Sequence, residues 1–405
     1  MYFLDCTLRD GGYYNAWDFS SELINQYLEA MQAAGVDIVE LGLRTLKNQG
    51  FQGPCAFTTD EFIRSLSIPA GLTVGVMVNG SELVGEVPQE EALARLFPNA
   101  AADSPVDLVR IACHVHEFEQ SLSAVTWLKE RGYRVGFNLM QVADRTEDEV
   151  KALARVAKAY PMDALYFADS MGSMNPEQAA QIIQWFRSEW TGAMGIHTHD
   201  NLGLALSNTL RALDEGVTWV DSTVTGMGRG PGNARTEELA IEMAERRGHS
   251  ANMVPLMVLL REHFKPMQAH YGWGTNPYYY LAGKYGIRVI AMEVTHENHV
   301  HEIEDALAQS GHPTGVMLQV GTRNTQNFEL LKAAGAQQRF PVLYKRGFGI
   351  SLEESINACE YIATGGNRNI IFCLRGVKSH MGTPHRNLVD FGHVPVIKRL
   401  TRMPV

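Results

Sequence analysis

Short apolar runs recur about every thirty residues over the first 225 residues, and amphipathic segments separate them. We predict strands at 2–8, 36–43, 72–78, 106–112, 133–140, 164–170, 194–199 and 218–224. The intervening segment 20–35 has Ser at its start and Gly at its end, as a capped helix does. Eight such units in about 240 residues predict an α/β fold of the (β/α)₈ TIM-barrel type. An open, doubly wound sheet is the alternative, although no GxGxxG follows the first strand to mark a dinucleotide site.

The pattern changes after residue 245. Residues 246–286 are predicted to be a helical extension, and strands alternating with helices then return. The later strands are predicted at 287–294, 314–321, 340–347 and 369–376, and the final "RMPV" resembles the opening of another. We therefore predict a barrel at 1–245, a helical extension at 246–286 and a partial second β/α barrel at 287–405.

Composition narrows the class of protein. An apolar fraction of 45% is typical of a soluble globular protein, and a net charge of −10 argues against a nucleic-acid partner. No apolar run approaches the roughly 18 residues of a membrane span, and early charges at Asp5, Arg9 and Asp10 argue against a signal peptide. The five cysteines show no CxxC spacing, which favours reduced thiols. We expect a soluble, cytoplasmic enzyme that does not bind membranes.

Polar residues at strand ends predict a metal site. His197 and His199 are two residues apart on one predicted strand, so their side chains point the same way. Asp10 follows the first strand, and Asn233 follows the Gly-rich turn "GMGRGPG" after the eighth. The carboxyl ends of barrel strands meet at one mouth, and this oxygen and nitrogen set suits Mn²⁺ or Mg²⁺, with Co²⁺ or Zn²⁺ as alternatives. The competing interpretation is unrelated polar residues at strand ends.

Three further charged residues lie at predicted strand ends. Arg9 precedes Asp10 and offers a permanent fork of donors for an enolate or carboxylate oxygen. Glu40 ends the second strand and Asp169 the sixth, where each could orient substrate, orient the groups behind the metal ligands or cap the following helix. These possibilities stay open for the two carboxylates.

Four segments resemble one enzyme family: "LDCTLRDGG", "VRIACHVHE", "GIHTHDNLGLALSN" and "VDSTVTGMGRGPGNARTEE". They are similar to the metal-dependent (β/α)₈ lyase superfamily of hydroxymethylglutaryl-CoA lyase, isopropylmalate synthase and the 4-hydroxy-2-oxovalerate aldolases. The resemblance covers residues 1–285 and is strongest to the aldolase branch. It implies that Asp10, His197 and His199 are metal ligands, that Asn233 is a further ligand or orients the ligands, and that Arg9 stabilises an enolate.

One position departs from that family. The aldolases usually carry His three residues after the Asp, where this chain has Tyr13, and a phenol is a poor base at neutral pH. His114, at the end of the fourth strand, or a water at the metal could be the base instead. We therefore assign Arg9, Tyr13 and His114 as catalytic candidates, and Glu40, Arg110 and Asp169 as substrate-binding candidates.

The last part of the chain contains a second set of basic strand ends: Arg323, Lys345, Arg346 and Arg375. Grouped at one mouth they would suit a phosphate, while scattered surface charge is the alternative. Residues 287–405 resemble the middle of a 3-deoxy-arabino-heptulosonate 7-phosphate (DAHP) synthase in "QVGTRNTQNFELLKAAG", "PVLYKRG", "SLEESINACEYIATGGN" and "IIFCLRG". That family holds phosphoenolpyruvate and sugar phosphate there. Its first two strands and metal-binding Cys are missing, and Leu374 replaces its Glu, so we predict binding rather than catalysis.

Taken together, these features favour a divalent-metal-dependent carbon–carbon lyase. It would cleave or form a 4-hydroxy-2-oxo acid through a pyruvate enolate, with a 2-oxo acid and an aldehyde as small-molecule partners. A condensing transferase, of the acyl-CoA Claisen type or the phosphoenolpyruvate type, is the alternative, and the C-terminal segment could instead be a docking or regulatory module. The uncovered apolar face of a half-barrel predicts burial against the first barrel or against the same segment of a second chain. The second option would make a dimer, and we expect a homo-oligomer.

Overall fold

The computed structural model describes residues 1–47, 50–285, 290–309, 316–378, 387–388 and 391–405. The chain forms two compact units, Met1–Gly286 and Ile287–Val405. The predicted strand residues 287–289 and 314–315 and the predicted boundary at 286 lie outside the described residues.

The first unit is a closed barrel of eight parallel strands that pair in chain order. The strands are β1 (Tyr2–Asp5), β2 (Ile38–Leu43), β3 (Thr73–Asn79), β4 (Leu108–His114), β5 (Arg134–Met140), β6 (Ala164–Asp169), β7 (Met194–Thr198) and β8 (Trp219–Ser222). β1 pairs with β8, with Leu4 opposite Asp221, and this pairing closes the barrel. The predicted TIM barrel is confirmed, and the open sheet is excluded.

Helices follow the strands and cover the outside of the barrel. They are α1 (Thr7–Gly11), α2 (Ser21–Ala33), α3 (Asp60–Arg64), α4 (Gln89–Leu96), α5 (Phe118–Ser121), α6 (Ser123–Glu130), α7 (Glu147–Ala157), α8 (Pro176–Arg187), α9 (Ala205–Asp214), α10 (Thr236–Arg247), α11 (Val254–Leu259), α12 (Lys265–Tyr271) and α13 (Pro277–Tyr285). A π-helical turn, Leu260–Phe264, joins α11 to α12. Local signals start several of them: the Ser20 hydroxyl accepts the Leu23 N–H ahead of α2, as predicted from the Ser.

Two apolar clusters hold the barrel. The large one lies between strands and helices and includes Phe3, Val39 and Phe137. A smaller cluster fills the barrel interior and consists of Leu4, Cys6, Ile38, Leu108, Ala164, Tyr166 and Trp219. Because strand side chains alternate between the two faces, this inner plug leaves the later inward-facing positions for polar groups near the carboxyl ends of the strands.

The first strand is shorter than predicted. β1 ends at Asp5, whose Oδ1 accepts the Thr7 N–H at 2.8 Å, and the chain then turns into α1. The predicted strand end therefore becomes a helical turn that carries Arg9 and Asp10. A side-chain acceptor two residues upstream favours such a turn over continued extension.

The second unit contains a four-stranded parallel sheet in the order β12-β11-β10-β9. Its strands are β9 (Ile290–Val294), β10 (Val316–Val320), β11 (Val342–Lys345) and β12 (Ile370–Cys373), and its helices are α14 (Glu297–Gln309), α15 (Phe328–Ala336), α16 (Leu352–Thr364) and α17 (His393–Thr401). Val377–Lys378 and Asn387–Leu388 form a short antiparallel pair. The predicted partial β/α arrangement is confirmed.

The final "RMPV" differs from the predicted strand opening. α17 ends at Thr401, Arg402 adopts a left-handed conformation, and the following residues form no strand. The Pro404 carbonyl nevertheless accepts the Phe372 N–H at 2.8 Å, beside the edge of β12. Among the described helices, none combines the length and apolar character that a membrane span requires.

Candidate active site

The carboxyl ends of the barrel strands surround a cavity of about 420 Å³. It is lined by Arg9, Asp10, Tyr13, Met77, Asn79, Ala112, His114, Asn138, Met140, Gln141, Ala168, Ser170, Met171, His197, His199 and Arg229. Seven of the eight strand ends thus contribute to one mouth. Six of the predicted site residues lie in the lining: Arg9, Asp10, Tyr13, His114, His197 and His199.

The structure brings Asp10, His197 and His199 together as a potential metal-binding group. One ligand atom from each residue lies within 4.8 Å of the others. The two imidazole rings lie 5.0 Å apart and nearly perpendicular, and His197 Nε2 lies 3.7 Å from Asp10 Oδ2. This convergence is the geometry of a small divalent cation site with one carboxylate and two imidazoles.

Each histidine is held through its other ring nitrogen. His199 Nδ1 lies 2.8 Å from the carbonyl oxygen of Asp169, and His197 Nδ1 lies 3.1 Å from Asp221 Oδ2. Both partners are acceptors, so they favour the tautomer with the proton on Nδ1 and leave each Nε2 as a lone-pair donor. Such outer partners are typical of metal-binding histidines.

Asn233 offers a fourth ligand atom to this group, an amide oxygen. Its Nδ2 donates to Asp10 Oδ2 at 2.5 Å, and its Oδ1 is buried without a hydrogen-bond partner in the described part of the chain. The Gly-rich turn makes the approach possible, because a Cβ on Gly228 would meet Asn233 Nδ2 at 2.6 Å. An orphaned buried carbonyl oxygen next to a carboxylate and two imidazoles fits a divalent cation.

Arg9 lies beside the same group and is nearly buried. Its Nε donates to Glu40 Oε1 at 2.7 Å, and its Nη1 donates to Asp10 Oδ1 at 2.8 Å. Nη2 is buried and has no hydrogen-bond partner within the described residues. The guanidinium is therefore fixed by two carboxylates and keeps one donor free at a cavity that it lines.

A buried charge network supports these groups from below. Glu40 accepts hydrogen bonds from both Arg9 and Arg110, Arg110 also donates to Asp221, and Asp221 contacts His197. Glu40 and Arg110 are completely buried, and neither lines the cavity. Their polar atoms are directed at other protein groups, which agrees with the alternative that Glu40 orients the groups behind the metal ligands. This placement does not put Arg110 in direct contact with substrate, as the assignment to substrate binding had it.

Asp169 is also placed differently from the predicted substrate contact. Its carboxylate accepts the backbone N–H groups of Ser173 and Met174, so it organises the loop after β6. Burial raises the pKa of Asp169 to about 7, against the opposing effect of those two N–H groups. Its carbonyl oxygen, rather than its carboxylate, reaches the site by holding His199.

The electrostatics of the site suit metal ligation. Burial alone would raise the pKa of Asp10, but the charge of Arg9 and the neighbouring His197 and His199 hold that pKa well below its usual range. Loss of solvation, followed by the effect of His197, lowers the pKa of His199 to about 4. An ionised carboxylate and a neutral imidazole are the forms that bind a metal ion.

The two candidate bases both lie in the cavity lining. Tyr13 is at the rim, with 42% of its surface exposed, and its ring packs against Trp17 at 4.7 Å and under Arg229 at 4.6 Å. His114 ends β4, and its ring stacks on His116 at 5.6 Å. Because both side chains line the same cavity, the choice of base stays a prediction.

Sequence reasoning missed several residues of the site. Asp221 in β8 and Asn138 in β5 are buried polar residues inside otherwise apolar strands, and that interruption was the available signal. Gln141, Ser170 and Arg229 also line the cavity; Gln141 and Ser170 directly follow predicted or observed strand ends, and Arg229 lies within the Gly-rich turn, where only Asn233 was singled out.

In the second unit, the four predicted basic residues follow three adjacent strands at the carboxyl edge of the sheet. Arg375 Nη1 donates to Thr322 Oγ1 at 3.1 Å, which joins the ends of β12 and β10. Arg346 is 6% exposed, and its Nε has no hydrogen-bond partner among the residues described. Arg323 is exposed, and Lys345 is partly buried. A cationic edge is therefore present.

Comparisons with known proteins cover both parts of the chain. A sequence model of the HMGL-like family matches residues 103–260, and one of the DAHP synthetase I family matches residues 227–405. The second match includes the segment where that resemblance was found and begins earlier, at the Gly-rich turn. Both resemblances seen in the sequence are confirmed.

Several named proteins and structures are similar to the barrel. The chain is 30% identical over 250 residues to an oxaloacetate decarboxylase from Mycobacterium tuberculosis, and the aligned region makes up 61% of this chain and 71% of that protein. It is 34% identical over 242 residues to a 4-hydroxy-2-oxovalerate aldolase from Chloroflexus aurantiacus, and here the aligned region makes up 58% of this chain and 67% of that protein. Both similarities extend over most of the relative.

Solved structures give the same picture. The N-terminal domain of a proposed aldolase from Bacteroides vulgatus superposes with a TM-score of 0.65 at 30% identity, over 71% of this chain and 93% of that one. The structure of Bacillus subtilis HMG-CoA lyase shares the fold, with a TM-score of 0.52 at 17% identity. The superposition covers 70% of this chain and 97% of that one. Because relatives at least 30% identical are covered over two thirds or more of their length, this chain belongs to the HMGL-like family.

Proposed function

We propose that the barrel unit is a divalent-metal-dependent carbon–carbon lyase that cleaves, or in reverse forms, a 4-hydroxy-2-oxo acid through a pyruvate enolate. One observation carries the proposal: Asp10, His197 and His199 converge in the same cavity that Arg9 lines, and Arg9 Nη2 is buried with no hydrogen-bond partner among the described residues. The relative named 4-hydroxy-2-oxovalerate aldolase supports it.

Asp10, His197 and His199 would hold the metal, with the Oδ1 atom of Asn233 as a further ligand. A bound divalent ion would polarise the 2-oxo and carboxylate oxygens of the oxo acid. A set without thiolate favours Mn²⁺ or Mg²⁺, with Co²⁺ and Zn²⁺ as alternatives.

Arg9 stabilises the enolate. Negative charge develops on the 2-oxo oxygen as the bond breaks, and a fixed donor there lowers the barrier without reorganising. Glu40 and Asp10 hold the guanidinium by hydrogen bonds at Nε and Nη1, so Nη2 is the donor left for the substrate. Glu40 and Arg110 are positioning residues in this account, since they act through Arg9 and, by way of Asp221, through His197.

The bond changes balance as follows in the cleavage direction. A base takes the proton of the 4-hydroxyl group, the bond between C3 and C4 breaks, and C4 becomes the carbonyl carbon of the aldehyde. The electron pair of that bond enters the enolate, and protonation at C3 then gives pyruvate. We assign the base to His114, because imidazole is the side chain whose ordinary protonation equilibrium lies nearest neutral pH. Tyr13 is the alternative.

Decarboxylation of a 2-oxo dicarboxylic acid is a second candidate activity. The relative named oxaloacetate decarboxylase favours it, and the loss of CO₂ from such an acid leaves the same pyruvate enolate. The groups that bind the oxo acid would be unchanged, and the base for a 4-hydroxyl proton would not be needed.

The test measures pyruvate release from 4-hydroxy-2-oxo acids in an assay that couples pyruvate to a lactate dehydrogenase. We expect EDTA to abolish activity and Mn²⁺ or Mg²⁺ to restore it. Pyruvate release that persists after complete metal removal would contradict the proposal, and phosphate release from phosphoenolpyruvate would favour the transferase alternative.

For the second unit, we propose that Arg323, Lys345, Arg346 and Arg375 bind a phosphate-sized anion. The buried, unpaired Nε of Arg346 and the link from Arg375 to Thr322 support this role. We also propose that the chain is a homo-oligomer. Sedimentation velocity of the full chain tests this proposal, and a monomer would contradict it.

We propose a reducing, cytoplasmic location as well, because the five cysteines are free.

A further inference from the structure

The cavity is larger than the shortest substrates of the proposed reaction need. A five-carbon 4-hydroxy-2-oxo acid has about nine non-hydrogen atoms and fills at most about 270 Å³, at the ~30 Å³ of a liquid water molecule for each atom. The cavity holds about 420 Å³. The space beyond the reacting atoms is therefore wide enough for a longer aldehyde.

Polar side chains line the wall across from the metal-binding group. Barrel order places β3, β4 and β5 opposite β7, β8 and β1. Strand register aligns Asn79 with Ala112 and Ala112 with Asn138, so two amides lie at one level with a small residue between them. The small side chain leaves room for a substrate to pass between the amides.

The amide of Asn138 has an unused acceptor. The residue is 3% exposed and lines the cavity, and its Oδ1 has no hydrogen-bond partner among the residues that the structure describes. A buried amide oxygen is unfavourable when unpaired, so a donor from a ligand is expected there. An alcohol hydroxyl is such a donor, whereas the methyl group of a short apolar aldehyde is not.

Gln141, just beyond β5, shows local backbone strain. It has φ 61° and ψ 35°, a left-handed conformation that a residue with a Cβ rarely adopts, and its N–H donates to Ser170 Oγ at 2.8 Å. Strain of this kind is retained where it places a side chain for function. Gln141 and Ser170 both line the cavity, so they extend the polar wall that begins at Asn138.

We propose that the aldehyde half of the substrate is a polyhydroxylated chain, so that the 4-hydroxy-2-oxo acid is of the deoxy sugar-acid class. Asn138 is its specificity-determining residue and accepts a hydrogen bond from a hydroxyl group beyond C4. The reacting bond is unchanged: C3 of pyruvate joins the aldehyde carbon, whose oxygen becomes the 4-hydroxyl. This inference rests on the proposed lyase function.

The first test uses the metal-loaded full chain and two series of aldehydes of matched length. Glycolaldehyde, glyceraldehyde and erythrose form one series, and acetaldehyde, propanal and butanal form the other. We expect kcat/KM for condensation with pyruvate to favour the hydroxylated member by about a hundredfold or more, because a site built to hydrogen-bond a hydroxyl rejects the analogue without it. Equal rates or a preference for the apolar series would overturn the inference.

A separate readout keeps the two proposals apart. Exchange of the pyruvate methyl protons in D₂O, followed by NMR without any aldehyde, reports enolate formation alone. Absent exchange together with absent condensation would count against the lyase proposal as well as this inference. Exchange with an apolar preference would overturn the inference and leave the lyase proposal standing.

The second test is Asn138→Leu, which keeps the size of the side chain and removes the amide. Asn208→Leu is the matched control, because Asn208 is buried, also has an unpaired Oδ1 and does not line the cavity. We expect the ratio of kcat/KM for glyceraldehyde over propanal to fall at least tenfold in Asn138→Leu and to hold in Asn208→Leu. An unchanged ratio in a folded Asn138→Leu protein would overturn the role of Asn138. If that variant does not fold, the wild-type aldehyde series decides the proposal.

Discussion

Arg110 donates a hydrogen bond to Asp221 inside the barrel, where both side chains are completely buried. The same carboxylate oxygen lies 3.1 Å from His197 Nδ1. The positive charge of Arg110 thus offsets the cost of burying Asp221, and Asp221 in turn fixes one predicted metal ligand. Burial raises the pKa of Asp221, but Arg110 and His197 outweigh it, so the pKa stays below its usual value.

Asp221→Asn should weaken metal binding by about 10- to 100-fold, because a neutral amide replaces the charged acceptor that fixes the His197 tautomer. Calorimetric titration of the metal-free protein with Mn²⁺ measures the change. Glu82→Gln is the control, since Glu82 is a buried carboxylate that accepts a hydrogen bond from Thr45 and contacts no predicted ligand. Equal losses of affinity in both variants would show that Asp221 has no specific role.

The same substitution should also destabilise the fold. It leaves Arg110 with one ionised partner instead of two, and breaking a buried ion pair costs about 3 kcal/mol or more of unfolding free energy. Urea unfolding of the metal-free protein measures this loss. A change below about 1 kcal/mol would mean that water or Glu40 compensates fully for the lost charge.

Arg9→Ala should cut turnover by about 10²- to 10³-fold while leaving metal affinity nearly intact, because the variant loses the free Nη2 donor but no predicted ligand. Arg9→Lys tests the fork geometry: it keeps the charge without the planar donors, so we expect an intermediate rate. If turnover of Arg9→Ala falls less than tenfold, Arg9 is structural.

His114→Gln should lower carbon–carbon cleavage by about 10²-fold or more, the usual contribution of a general base. Tyr13→Phe, at the rim of the same cavity, serves as the comparison and should lower cleavage less than tenfold. Steady-state pyruvate release over a range of pH measures both. The opposite ranking would transfer the role of base to Tyr13.

Arg375→Gln should weaken binding of inorganic phosphate to the second unit at least tenfold, because it removes one arm of the cationic edge. Arg368→Gln is the control, since Arg368 is exposed just before β12, at the other end of that strand. Isothermal titration of the full chain measures both. Equal phosphate affinities in the two variants would show that the cationic edge is ordinary surface charge rather than a binding site.

The barrel could be predicted from the sequence because each strand–helix unit carries its own periodic signal. His197 and His199 could be predicted as a pair for the same reason, since alternation along β7 places them on one face. Short-range detail was less accessible: the turn from Asp5 into α1 depends on a single hydrogen bond to Thr7.

The supporting network could not be predicted from local pattern. Arg110 reaches Glu40 and Asp221 across 70 and 111 residues of sequence, and no periodicity reports such pairings. Glu40 and Arg110 were therefore assigned to substrate, because a charged residue in a barrel strand indicates the site without showing which way its atoms are satisfied. Asn138 was not predicted for a related reason: it is a single amide in an apolar strand, and the sequence does not show that its side chain lines the cavity.

The central claim is that Asp10, His197 and His199 bind a catalytic divalent metal. Anomalous diffraction at the manganese edge from crystals grown with Mn²⁺ tests it most directly. The account predicts one strong peak about 2.0–2.3 Å from an oxygen of Asp10 and from Nε2 of each histidine, within the usual range for such ligands. The claim would be contradicted if crystals saturated with Mn²⁺ gave no anomalous peak at these residues, or gave their strongest anomalous peak away from both histidines.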